Sequence, residues 1–306
     1  MKLGDVILLI VLVAGLGVGL YFFFYYLPIG TPIEYKEFRA NINNYANISL
    51  TSQQFYPNMR YRNKQISYSI ERRCDQEREA DMEKAFSVLS AETSLEFYPS
   101  NTNPEIIILC SEIAPTPEEK DHFVAGEGGP SEIINTSILS VIMLGKISLY
   151  RADDCNEPKV ALHELLHALG FDHNNNPGSI MYPVTNCKQE IDQSIIDDLN
   201  RLYGILSLPD LVIDKIDANK TSKYINFEIS IANLGLKDSS GSKLELYSGD
   251  EIVKEFDLGG IELGRKKILT VSNLFLGGNS NNLKFVVVTS ESEISKENNV
   301  ADISVN

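Results

Sequence analysis

Three of the chain's four histidines fall between positions 163 and 173, in the stretch VALHELLHALGFDHNNNPGSIMYP at residues 160 to 183. A helix accounts for the first pair, because His163 and His167 are four residues apart and leave the same face one turn above each other. Leu162, Leu165, Leu166 and Ala168 supply the apolar contacts that would fix such a helix against a core. Gly170 follows, and glycine most easily takes the left-handed conformation that ends a helix and reverses the chain. That reversal would bring His173 back toward the other two. Three neutral imidazoles around one point suit zinc, which in catalytic sites takes three protein ligands and leaves a fourth position for water. Glu164, beside the first ligand, is placed to act as a base. A single histidine on an apolar helix is usually a core residue, but here His163, Glu164, His167, Gly170 and His173 occur together in one pattern. His122 has no partner at ligand spacing and reads as surface or local structure.

The pattern H-E-x-x-H-x-x-G-x-x-H, with Met181 downstream in a turn, resembles the metzincin signature of zinc endopeptidases. Within that group HELLHALGFDH, SIMYP and the closing LNRLYG at residues 199 to 204 look most like the matrixins, over roughly residues 60 to 205. The resemblance implies an α+β peptidase domain with one catalytic zinc ion, Met181 as the Met-turn residue, and Tyr182, Pro183 and Val184 as the primed-side wall of the substrate pocket. It also places residues 129 to 135 near the edge strand that pairs with extended substrate. Upstream, ISYSI (66 to 70), DMEKAFSVLSAETSLEFY (81 to 98) and EIIILC (105 to 110) read as strand, helix and strand. The last helix, in IDQSIIDDLNRLYG, is expected to start at Asp192 as N-cap and end at Gly204. Several matrixin features are missing. No P-R-C-G-x-P-D cysteine switch precedes the domain, so latency by a thiolate on zinc is not expected. LGKISLYRADDC stands where the family has its structural zinc and calcium loop, so neither of those ions is expected. Ser194 and Ile195 occupy the places of the family's paired aspartates, so no salt bridge to a new N-terminus is expected.

Residues 6 to 27, VILLIVLVAGLGVGLYFFFYYL, carry no charge and are long enough as a helix to cross a hydrocarbon layer about 30 Å thick. The aromatic cluster at 21 to 26 would sit near one interface. A cleaved signal peptide is the competing reading, but the run exceeds the usual h-region of about 7 to 15 residues and no A-x-A-like site follows. Gly15 and Gly19 have a helix-pairing spacing that is common in such spans. Lys2 lies on one side of the run, Lys36 and Arg39 on the other, so the positive-inside count gives no orientation. The four cysteines do, because an even number fits an oxidising exterior. Cys155 and Cys187 bracket the zinc motif and Cys74 and Cys110 the strand-helix-strand unit, which predicts the disulfides Cys74–Cys110 and Cys155–Cys187. Four free thiols are the alternative; C-x-x-C spacing for a second metal is absent. N-x-S/T sequons at Asn47, Asn135 and Asn219 allow glycosylation.

Length and composition accommodate two domains: 306 residues, 43% of them apolar, with a net charge of -15 that argues against nucleic acid as a partner. The expected organisation is a transmembrane anchor at 1–28, a juxtamembrane stalk at 29–60, a peptidase domain at 61–206 and a β-domain at 207–306. In the last, Ile225, Phe227, Ile229 and Ile231 alternate with polar residues, and KLELYSGDEIVKEF has a hairpin turn candidate at Ser248 to Asp250. With LKFVVVTS, these strands predict an immunoglobulin-like antiparallel β-sandwich. PDLVI, IANLG and ENNVADISV resemble the CARDB family of adhesion-related modules. That domain has neither histidine nor cysteine, so a spacer or binding role, with a possible surface ligand, is expected. The combined expectation is a single-pass membrane protein with an extracytoplasmic zinc endopeptidase acting on protein or peptide. Its rival is a surface adhesion protein whose zinc is structural, a reading that Glu164 opposes because a structural zinc is commonly closed by a fourth protein ligand.

Overall fold

A mostly parallel sheet and three helices build the domain that carries the histidines. The computed structural model describes residues 15–18, 34–39, 53–116, 124–136, 139–152, 154–277 and 281–305. β1 (Glu34–Arg39) pairs far downstream, with the C-terminal domain. β2 (Met59–Tyr61), β3 (Gln65–Ile70), α1 (Gln76–Glu92), β4 (Glu96–Pro99), β5 (Ile106–Cys110), β6 (Gly126–Asn135) and β7 (Ser140–Leu149) follow, then α2 (Lys159–Ala168) and α3 (Gln193–Tyr203). The sheet runs β2-β7-β5-β3-β4 with all these neighbours parallel, and β6 pairs antiparallel with β7 at the side facing α2.

The helix expected over 81–98 begins earlier and ends sooner. Asp75 caps α1 by accepting the Arg78 N–H at 2.8 Å, with Glu77 and Glu79 in the favourable first turn. Met82, Ala85, Phe86 and Leu89 form its buried face. Thr93 stops it, its hydroxyl and its N–H both donating to the Leu89 carbonyl, and the remainder of the expected helix becomes β4.

Arg60, 1% exposed in β2, fastens the last helix of this domain to the sheet. Its guanidinium donates to the carbonyls of Tyr61, Arg62, Ile205 and Leu202, and lies 4.6 Å over the Tyr203 ring. The carbonyls at the end of α3 thus find a cation, which a helix C-terminus favours. The Tyr203 hydroxyl accepts the Tyr61 N–H at 2.9 Å. Residues 53–58 also belong to this domain rather than hanging free: Phe55 N–H donates to Gly170 O and Asp172 N–H to Gln53 O.

The C-terminal strands are β8 (Leu211–Thr221), β9 (Tyr224–Asn233), β10 (Ser242–Ser248), β11 (Glu251–Gly259), β12 (Arg265–Phe275), β13 (Asn282–Val288) and β14 (Val300–Ser304). They form two antiparallel sheets, β1-β12-β9-β8 and β11-β10-β13-β14, around Ile225, Phe227, Ile229, Ile231, Leu244, Leu246 and Phe285. The turn between β10 and β11 falls at Gly249 and Asp250, within the expected position. This domain packs on the first: Leu236 and Leu263 join the buried cluster of the peptidase side, and Arg62 lies 3.7 Å from Asp238.

Among the described residues no helix is long and apolar enough to cross a membrane. The run 6–27, apart from a helical turn at 15–18, lies outside those residues, as do His122 and Asn47. The structure joins Cys74 to Cys110 and Cys155 to Cys187, with S–S distances of 2.03 and 2.02 Å.

Replacing Arg60 by methionine is expected to lower stability by about 3 kcal/mol or more, since several buried carbonyls lose their donor together; urea unfolding measures it. Removing the Cys155–Cys187 bridge as a double alanine variant should lower stability by about 2 to 4 kcal/mol, and non-reducing peptide mapping should recover the two pairings in exported protein.

Candidate metal centre

Every residue of α2 from Lys159 to Ala168 is buried, so its polar side chains must find partners inside the protein. The helix closes where expected. Gly170 has φ +97°, its N–H donates to His167 O at 2.8 Å, and Phe171 N–H reaches Leu166 O at 3.0 Å. A Cβ at Gly170 would stand 2.7 Å from the Cβ of Met59, so the position suits only glycine on both counts. The chain then returns His173 to the helix face. The three Nε2 atoms lie 3.0 Å (His163 to His167), 3.1 Å (His163 to His173) and 3.2 Å (His167 to His173) apart.

Their orientation is set from behind. His163 Nδ1 lies 2.6 Å from the Ile180 carbonyl and His167 Nδ1 lies 2.7 Å from the Phe171 carbonyl. A carbonyl only accepts, so each Nδ1 carries the proton and each Nε2 presents its lone pair to the common point. Burial, reinforced by the neighbouring His167, pushes His163 down to about 3, and burial pushes His167 down to about 4. Burial also lowers His173. The imidazoles are therefore neutral ligands at ordinary pH. Among the described residues this is the one group of three or more histidine, cysteine or carboxylate side chains at metal-ligand spacing, and it contains no fourth member. A set of three imidazole nitrogens with an open position fits a catalytic zinc ion.

Met181 is completely buried, one residue after the carbonyl that holds His163. The turn is braced on both sides: Asn174 N–H donates to Met181 O at 2.9 Å, and Met181 N–H to Ser179 Oγ at 3.0 Å. The Ser179 hydroxyl in turn donates to Asp192. Asp192 does occupy the N-cap position of α3, yet its carboxylate is committed to Ser179 and caps no helix N–H. Tyr182 is half-buried, and Pro183 and Val184 are exposed beyond it. Gln189, fully buried, holds this segment by donating to Val184 O at 2.9 Å and Pro177 O at 3.3 Å. Sequence reasoning missed Gln189, because nothing in its neighbours distinguishes it from a surface glutamine.

Glu164 is 5% exposed and lies against β6. A Cβ on Gly126 would stand 2.6 Å from Glu164 Cγ, and one on Gly128 2.3 Å from the Glu164 carbonyl oxygen. The strand next to Glu164 is thus 126–128, just before the 129–135 stretch expected from sequence. Burial, with the charge of Glu127 second, pushes the Glu164 carboxyl up to about 8. Glu127 itself accepts the Tyr150 hydroxyl at 2.5 Å. Neither Glu127 nor Tyr150 was singled out in the sequence; the glycines at 126 and 128, two apart on one strand face, are the signal that could have pointed to a close approach.

Residues 60–204 match the family model described as matrixin, and residues 208–302 the model described as CARDB. Among solved structures, the chain is similar to the CARDB domain of a Pyrococcus furiosus protein crystallised in complex with di-metal ions (23% identity, 32% of this chain and 90% of that chain, TM-score 0.28). It is also similar to a domain of a putative cell surface protein from Methanosarcina acetivorans (20% identity, 32% and 93%, TM-score 0.29). A third is high choriolytic enzyme 1, a hatching enzyme zinc-protease from the medaka Oryzias latipes (16% identity, 46% and 89%, TM-score 0.32). No curated protein matches the chain. The chain thus combines a matrixin domain, which makes it a zinc-dependent metalloendopeptidase, with a C-terminal CARDB domain.

Proposed function

We propose that this protein is a membrane-anchored, extracytoplasmic endopeptidase that cleaves extended protein segments, with one catalytic zinc ion on His163, His167 and His173 and with Glu164 as general base. The observation that carries the reading is the convergence of three Nε2 lone pairs within 3.2 Å of one another, one residue along the helix from a buried carboxylate. His163, His167 and His173 would hold the zinc ion, which when bound would supply Lewis-acid polarisation of the scissile carbonyl and a water of lowered pKa, about 7, and would favour the ionised form of Glu164. Glu164 takes the proton of the attacking water and returns it to the leaving amine. Its surroundings serve this exchange, because a carboxyl biased upward by burial and by Glu127 holds a transferred proton more readily than an exposed one.

β6 supports the substrate class. It is an edge strand whose other side is filled by β7, and an extended peptide can add to such an edge by main-chain hydrogen bonds. Tyr182, Pro183 and Val184 border the pocket for the side chain after the cleaved bond. Anchoring is supported by the apolar run 6–27, and an extracytoplasmic site by two disulfides and no free cysteine among the described residues. The CARDB domain serves as a binding or spacing module. The rival reading, an adhesion protein with a structural zinc, is weakened by the open fourth position and by the buried carboxylate beside it.

Replacing Glu164 by glutamine should leave metal content and melting behaviour near the parent's while peptide hydrolysis falls by about 10² to 10⁴-fold. Equal turnover by the variant would remove Glu164 from the mechanism. Metal analysis of the purified chain should find one zinc, and His173→Ala should lose most of it in competition with a chelator, since two ligands are left without the third.

A further inference from the structure

A second set of polar groups, unused by the peptidase site, lies where the chain passes from α3 into the β-sandwich. Asp210 is 1% exposed there, and Glu293 approaches it from the segment before β14. Asp210 Oδ1 accepts the Ser295 N–H and Asn298 Nδ2, each at 3.2 Å. Glu293 Oε1 accepts the Leu211 N–H at 2.8 Å, and its Oε2 accepts Asn299 Nδ2 at 2.6 Å. Three buried oxygens of these side chains have no donor: Asp210 Oδ2, Asn298 Oδ1 and Asn299 Oδ1. Asn299, like Asp210, is more than nine-tenths buried, at 4% exposure. Each of these oxygens sits on a side chain whose other polar atom is hydrogen-bonded within the Asp210–Glu293 cluster.

Buried acceptors without donors are destabilising, and neighbouring carboxylates add mutual repulsion. Among the described residues neither Asp210 nor Glu293 forms a close ion pair, and the Lys296 charge acting on Glu293 counts for less than its burial. We propose that Asp210, Glu293, Asn298 and Asn299 form a binding site for a hard divalent cation, calcium, at the domain junction. The donor set is all oxygen, with two carboxylates and two side-chain amides, the chemistry calcium takes and zinc or copper does not prefer. Burial pushes both carboxyls up, and Asp210 acts further on Glu293, a bias that a bound dication reverses. The site also has a mechanical role. Ile294, between two of its contacts, packs against the peptidase core and donates its N–H to Pro209 O at 3.0 Å, so an ion there pins the sandwich to the first domain.

The test uses the full chain, stripped of divalent ions and reloaded with one equivalent of zinc, titrated with calcium chloride by calorimetry and by thermal melting. One calcium per chain with a Kd of about 10⁻⁵ to 10⁻³ M and a rise in Tm is expected. Asp210→Asn should abolish both, and Asn298→Ala, at a less buried position where folding is less at risk, should weaken binding about tenfold. A parent that takes up no calcium at about 10 mM overturns the proposal, and an Asp210→Asn variant as stable as that parent would identify a protonated carboxyl instead. Calcium binding unchanged in both variants would also overturn it, by placing the ion elsewhere.

Discussion

The hydrogen bonds from the Nδ1 atoms of His163 and His167 to the carbonyls of Ile180 and Phe171, respectively, are the constraint on which the histidine cluster depends. They choose the tautomer and turn each ring so that its lone pair meets the others. The Phe171 carbonyl is delivered by the left-handed turn at Gly170, and the Ile180 carbonyl by the turn that buries Met181. That second turn is fastened through Ser179 to Asp192 at the start of α3, and α3 is fastened at its other end by Arg60 to β2. The centre is therefore held by the whole domain, from its second strand to its last helix, rather than by the zinc-motif helix alone.

The enclosure of Glu164 is built by a different device, the removal of side chains. Gly126 and Gly128 let β6 lie directly on Glu164, and the strand excludes water from that carboxylate. Between them Glu127 contributes a like charge and the hydroxyl of Tyr150 binds it. Under the proposed function, the strand that offers its edge to a substrate is also the strand that lies on Glu164, so displacement of β6 would disturb substrate binding and proton transfer together.

How much of this was legible in the sequence varied with the range of the interaction. The spacing of His163, Glu164, His167, Gly170 and His173 is local, and a helix followed by a glycine turn places those residues with little help from elsewhere. The alternation from Ile225 to Ile231 likewise named its own buried face. The early start of α1 was signalled by Asp75 and was overlooked because the apolar periodicity begins only at Met82. The role of Gln189, and the tie of Asp192 to Ser179 beyond its N-cap position, depend on partners across loops whose path is set by tertiary packing. The same holds for residues 53–58, which look like linker until Phe55 meets the turn at Gly170.

β1 gives the chain an order of events. Its partner is β12, and Glu34 pairs with Thr270, more than two hundred residues later. The matrixin domain is in effect an insertion between the first strand of a sandwich and the rest of it. During synthesis at about 5 to 20 residues per second, β1 waits ten seconds or more for its partner to emerge. The peptidase domain contains all of its own parallel strands and can assemble in that interval. Completion of the sandwich then closes the polypeptide around a domain already folded.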